Sequence, residues 1–124
     1  MSSRQSVLIV EDDADLRRFF AHSLSMAGFD VREARGGFEA LRRLDSDLPD
    51  IVVLDLVMPG MDGFTVRSEI AAQTHTRHIP IVVITGSSAS ISELDVECFL
   101  RKPVTADRLI EAVRACLAAS APPA

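Results

Sequence analysis

The chain has no long hydrophobic run: no apolar stretch approaches the ~20 residues that a membrane-spanning helix needs. An apolar leader is missing as well. The opening MSSRQSVLIV holds one Arg and no extended apolar segment, so no secretory signal is expected and the expected compartment is the cytoplasm. Cysteine is scarce. Cys98 and Cys116 stand in no metal-binding spacing and read as reduced, half-buried small hydrophobes, with any disulfide between them left to geometry. Positive charge is short too: 13 Lys and Arg against 18 Asp and Glu leave a net charge of −5. That balance argues against a nucleic-acid face and against anionic membranes as partners. The basic doublets Arg17-Arg18 and Arg42-Arg43 therefore read as solvated helix faces.

What is present is ordinary for one globular domain: 48% apolar and 25% charged residues over 124 positions, enough to bury a core without staples. Short β-branched runs at Val7 to Val10, Asp30 to Ala34, Ile51 to Leu54, Ile81 to Thr85 and Cys98 to Leu100 predict five strands. The first, third and fourth are apolar throughout, as parallel strands covered on both faces should be. Helical spacing predicts helices over about Ala14 to Met26, Gly37 to Leu44, Phe64 to Ala72 and Asp107 to Leu117, with Asp13, Asp62 and Thr105 as N-caps. Between the fourth and fifth strands only Gly86 to Glu97 remain. A capping-box pattern at Ser90 to Glu93 allows a helix of barely two turns there, a shortened fourth helix. Five βα units predict an α/β domain with an open parallel sheet. The expected limits are an N-terminal extension over 1–6, the domain over 7–118, and a tail or start of a linker over 119–124.

One segment poses a question. In IVVLDLVMPG, residues 51–60, a carboxylate sits in an apolar run, although an ionised carboxylate is costly to bury unless paired. In open α/β sheets the functional crevice lies at the carboxyl ends of the strands. There the first strand supplies Glu11, Asp12 and Asp13, the third Asp55, the fourth Thr85-Gly86, and the segment after the fifth Lys102-Pro103. Converging carboxylates repel one another and call for a cation; oxygen-only ligands suit Mg²⁺ or Mn²⁺. Such a cation offsets the repulsion between Asp55 and a phosphoryl group, while Lys102 adds a point charge and Thr85 a hydrogen bond. The layout holds no Gly-rich phosphate loop, no activated Ser or Cys with a His beside it, and no His pair at metal spacing. Each residue alone reads as a cap or a strand end; their joint placement on four strand ends carries the chemistry.

The stretches VLIVEDDADLRR, DIVVLDLVMPGMDG, IPIVVITG and FLRKP together resemble the receiver domain of bacterial two-component response regulators, over about Val7 to Leu117. The resemblance implies a flavodoxin-like, doubly wound five-stranded sheet in the order 2-1-3-4-5. It implies Asp55 as the phosphoacceptor, loaded from a histidine kinase or a histidine phosphotransfer protein. It makes Glu11 and Asp12 the acidic pair for Mg²⁺, with Asp55 and the backbone carbonyl of Val57 completing the protein ligands. Thr85 and Phe99 match the switch hydroxyl and the switch aromatic, Lys102 the ion-pair partner of the phosphoryl group, and Lys102-Pro103 a cis peptide. Such a domain promotes its own phosphorylation and dephosphorylation, is not a turnover enzyme, and acts on an effector or output domain as a monomer or a phosphorylation-dependent dimer.

Val57, two residues past Asp55, is apolar, and Ser87, two past Thr85, is small, so neither positions a hydrolytic water and a long-lived phosphoryl group is expected. Arg17 and Arg18 lie on the helix that docks the phosphodonor in the family; a solvated face is equally expected. His22, His75 and His78 are expected at the surface or in caps. Three rival readings are weaker. A flavin module needs a Ser/Thr-rich phosphate loop where EDDAD stands. A haloacid-dehalogenase-type phosphatase needs an acid where Val57 stands. A receiver reduced to an interaction module leaves the filled switch positions without a purpose.

Overall fold

A computed structural model describes residues 4–86 and 98–120. Along the chain run β1 (Ser6–Val10), α1 (Ala14–Met26), β2 (Asp30–Ala34), α2 (Gly37–Ser46), β3 (Ile51–Asp55), α3 (Gly63–Ala72), β4 (Ile81–Thr85), β5 (Phe99–Arg101) and α4 (Ala106–Ser120). The expected short helix after the fourth strand falls on residues outside those described. The five strands are parallel in the order β2-β1-β3-β4-β5, so both the α/β class and the strand order are as expected.

Strand composition matches strand position. In β1 and β3 every residue is buried, and in β4 all but the first, because helices cover both faces. The edge strands are different: β2 (DVREA) and β5 (FLR) each bury one residue. Side chains alternate between faces along a strand, so each strand feeds two cores. Val7, Ile9, Ile51, Val53, Val82 and Ile84 pack with Phe20 and Leu24 of α1 and with Leu109 and Val113 of α4. Leu8, Val10, Val52 and Leu54 pack with Ala40 and Leu44 of α2 and with Val66 and Ile70 of α3.

The helix starts follow their caps. The Asp13 carboxylate accepts the Leu16 amide at 3.0 Å, Asp62 accepts that of Thr65 at 2.8 Å, and the Thr105 hydroxyl accepts that of Arg108 at 3.2 Å. Gly28 just beyond α1 has φ of +101°, the left-handed conformation that commonly stops a helix. Two bounds extend past the sequence expectation: β1 begins at Ser6, and α4 runs to Ser120, beyond the expected domain limit at 118.

Two expectations are corrected. Cys98 and Cys116 are not free thiols; they pair as a disulfide with Cα atoms 6.1 Å apart. β5 and α4 lie on the same side of the sheet edge, which brings residues 18 apart in sequence within bridging range. Arg17 does not sit on a solvated face. It is buried, because its guanidinium turns inward toward the end of β1.

Candidate functional site

Strand register assembles the site. Val10 pairs with Leu54, Asp55 with Ile84, and Thr85 with Arg101. Each strand is therefore offset so that Glu11, Asp55, Thr85 and Lys102 step side by side along the carboxyl edge of the sheet. Backbone bonds continue the ladder just past the strands: Glu11 N–H to Ala34 O at 3.1 Å, Leu56 N–H to Ile84 O at 3.0 Å, and Lys102 N–H to Thr85 O at 2.9 Å. Lys102-Pro103 is a cis peptide, as the resemblance implies.

The carboxylates of Glu11, Asp12 and Asp55 converge, each offering one oxygen within 4.8 Å of the others. Glu11 is 1% exposed and Asp55 3%, while Asp12 faces solvent. Asp55 is held at both oxygens. Oδ1 accepts the Val57 amide at 3.1 Å, and Oδ2 lies 3.3 Å from Lys102 Nζ. The same ammonium is 3.2 Å from Glu11 Oε1, but neither Glu11 oxygen receives a hydrogen bond. Burial, then the Asp55 and Asp12 carboxyls, push the Glu11 pKa up to about 8. Burial works against the charge of Lys102, yet Asp55 and Glu11 outweigh it and hold the ammonium above its ordinary value. One lysine facing two buried carboxylates leaves the cluster short of positive charge, and a buried carboxylate that receives no hydrogen bond calls for a proton or a metal ion. The donor set is oxygen only and fits a hard divalent cation.

These side chains line a cleft of about 530 Å³, with Asp13, Val57 and Gly86 completing the wall. Thr85 is buried beside it at 2% exposure. Phe99 is 46% exposed and does not line that cleft. All the singled-out positions thus lie at one strand edge, with Phe99 outside the cleft.

Two supporting residues escaped the sequence reading. Arg17 Nη1 donates to the Glu11 carbonyl at 2.9 Å, and its Nε pairs with Glu33 at 3.2 Å, which fixes the turn carrying the acidic pair. The RR doublet masks this role, since only one of its two side chains turns inward. Gly63 opens α3 against the acceptor strand: a Cβ there would lie 2.4 Å from the Asp55 carbonyl oxygen and 2.5 Å from Leu56 Cα. The sequence shows only a glycine directly after an N-capping Asp, which does not set it apart from other helix-start glycines.

The family model for the response regulator receiver domain matches residues 7–114, and the chain belongs to that family. It is a receiver domain, the phosphoacceptor module of two-component signalling. Response regulator PleD of Caulobacter vibrioides is 39% identical over 119 residues, covering 92% of this chain and 26% of PleD. The C4-dicarboxylate transport transcriptional regulatory protein DctD of Rhizobium meliloti is 34% identical, covering 92% of this chain and 25% of its own length. This chain thus spans about a quarter of those relatives, whereas it covers 96% of the polar-differentiation response regulator DivK of Brucella anthropi at 28% identity. Among solved structures, a putative response regulator from Chloroflexus aurantiacus superposes with a TM-score of 0.85 at 31% identity, over 94% of this chain and 99% of that one. Chemotaxis response regulator CheY4 of Vibrio cholerae gives 0.84 at 26% identity, over 92% and 99%.

Proposed function

We propose that Asp55 accepts the phosphoryl group, taken from a phosphohistidine of a histidine kinase or histidine phosphotransfer protein. The observation that carries this reading is a buried Asp55 carboxylate held by Lys102 and the Val57 amide, and facing Glu11 and Asp12 across an open cleft. In the transfer the phosphorus–nitrogen bond of the donor breaks as a phosphorus–oxygen bond to Asp55 forms, and the imidazole leaves. Lys102 and the Val57 amide orient the attacking carboxylate, and positioning of this kind supplies much of the catalysis of phosphoryl transfer. Glu11, Asp12, Asp55 and the Val57 carbonyl would hold Mg²⁺ or Mn²⁺, which when bound neutralises charge on the transferring phosphoryl oxygens. The domain has no outside substrate to turn over; it promotes its own loading and unloading.

The acyl phosphate adds about −1.5 to −2 charge at a place where Lys102 already balances two carboxylates. Thr85 at the end of β4 is the nearest hydroxyl in the ladder to answer that charge, and its movement opens room for Phe99. The outward Phe99 is the arrangement we assign to the unphosphorylated state. The output is a change in partner binding, to an effector or an output domain. The reading further includes one domain whose elements run from Ser6 to Ser120, a cytoplasmic setting, no direct contact with nucleic acid or membrane, and a monomer or a dimer formed on phosphorylation. Among the described residues no helix is long and apolar enough to cross a membrane.

The test is the intact mass of the chain after incubation with a small-molecule phosphodonor and Mg²⁺. One phosphoryl group should appear on the wild type, and none without Mg²⁺ or in Asp55→Asn. No adduct on a folded wild-type chain supplied with Mg²⁺ would leave an interaction module that works without phosphorylation.

A further inference from the structure

A second cleft, of about 370 Å³, lies away from the acidic one, between α3 and the C-terminal part of α4. Both cysteines line it, together with Arg67, Ser68, Arg77 and Ser120. Cys98 immediately precedes β5 and is half-buried; Cys116 is 4% exposed and belongs to the core beneath α4. Of the two lining cysteines Cys98 is therefore the more exposed residue and Cys116 the more buried. Arg67 and Arg77 bring the wall two positive charges, which attract carboxylates. We infer that Cys98 and Cys116 form a reversible redox pair, and that the cleft admits an anionic small disulfide or thiol to exchange with it.

The exchange balances without other reactants. The Cys98 thiolate attacks one sulfur of the incoming disulfide, and one small thiolate leaves. Cys116 then gives up its proton and attacks the Cys98 sulfur, so the second small thiol leaves. The protein dithiol loses two electrons and two protons, and the small disulfide becomes two thiols. The two roles follow from exposure: the thiolate of the more exposed Cys98 attacks first, and the more buried Cys116 resolves the mixed disulfide. The bond closes a loop with ends 18 residues apart and ties the start of β5 to α4. At roughly 3.3 Å per residue, Lys102 stands about 13 Å further along the chain, and the two clefts share no lining residue. The inference does not depend on phosphorylation.

The experiment uses the full chain, reduced and then exposed either to oxidised glutathione, an anionic disulfide, or to cystamine, a cationic one. Quenching in acid at intervals and mapping peptides should show a transient mixed disulfide on Cys98, followed by the Cys98–Cys116 bond, with reduced glutathione reversing it in the folded protein. The double variant Arg67→Gln/Arg77→Gln should react about threefold to tenfold more slowly with oxidised glutathione and no more slowly with cystamine. The oxidised chain should melt roughly 5–10 °C above the reduced one, a readout that needs no substitution. A first adduct on Cys116, an oxidised pair that glutathione reduces only after unfolding, or equal rates for the variant and the wild type with the anionic disulfide would each overturn the inference.

Discussion

Replacing Gly63 by alanine tests how closely helix packing positions the acceptor. The added Cβ would stand 2.4 Å from the Asp55 carbonyl oxygen and 2.5 Å from Leu56 Cα, roughly 1 Å inside ordinary contact. Both atoms are backbone, and the Gly63 amide is itself bonded to the Leu56 carbonyl at 3.0 Å, so no side chain can swing away to make room. The start of α3 and the end of β3 must separate. Overpacking of this kind costs about 1–3 kcal/mol, which for a domain of this size lowers the melting temperature by roughly 4–12 °C. The displaced atoms belong to the backbone of Asp55 and Leu56, so phosphoryl uptake from a small-molecule donor should also slow, by about tenfold to a hundredfold. Gly86→Ala is the control. Its Cβ would meet only the Lys102 side chain, at 3.5 Å, and should move the melting temperature by less than about 2 °C. Thermal melts and timed mass spectra read both effects. A Gly63→Ala chain that melts and loads like the wild type would refute the packing argument.

Other expectations follow from the same geometry. Glu11 has its folded pKa raised from 4.5 to about 8. Between those values the folded state of the metal-free protein holds the extra proton, so the Glu11 contribution to stability should be full below pH 4.5, fall as pH rises, and level off above about 8. Urea melts of wild type and Glu11→Gln check this: the variant should lose that slope and be the more stable of the two at pH 8.5, and an unchanged slope would contradict it. Arg17→Met should cost about 1–3 kcal/mol, since it strands the buried Glu11 carbonyl and the Glu33 partner, and Arg17→Lys should restore only part of it because a single ammonium replaces a two-point fork. Denaturant midpoints separate these outcomes from the near-zero effect expected of a solvated arginine. Asp13→Ala removes the α1 cap and should cost about 1 kcal/mol with phosphoryl uptake retained, because the residue is a cap on the cleft rim and not one of the three converging carboxylates.

Much of the site was legible because its signals are local. An apolar run that ends in a carboxylate marks a covered strand opening onto a cleft, and the ends of β1 and β3 read this way in the sequence, while β4 ends the same kind of run in the hydroxyl of Thr85. Asp13, Asp62 and Thr105 were legible as caps for the same reason: a cap is decided by three or four consecutive residues. What depended on three-dimensional packing was not legible. Arg17 and Arg18 look alike in sequence, and only the burial of one face of α1 separates them. The pairing of Cys98 with Cys116 needed the distance between an edge strand and a helix 18 residues on. β5 was placed one residue early, at Cys98 to Leu100, because a three-residue edge strand with one buried side chain carries almost no periodic signal. Gly63 reads as an ordinary turn glycine until the chain it must clear is seen.

The most direct test of the phosphoacceptor assignment is chemical. The chain loaded by a small-molecule phosphodonor with Mg²⁺ would be reduced with borohydride, which converts an acyl phosphate on aspartate into homoserine, and then mapped peptide by peptide. The account predicts conversion at position 55 alone, and none in a chain never exposed to the donor. Conversion at Asp12 or Asp13, or a phosphoryl group that resists reduction because it sits on His22, His75 or His78, would contradict it.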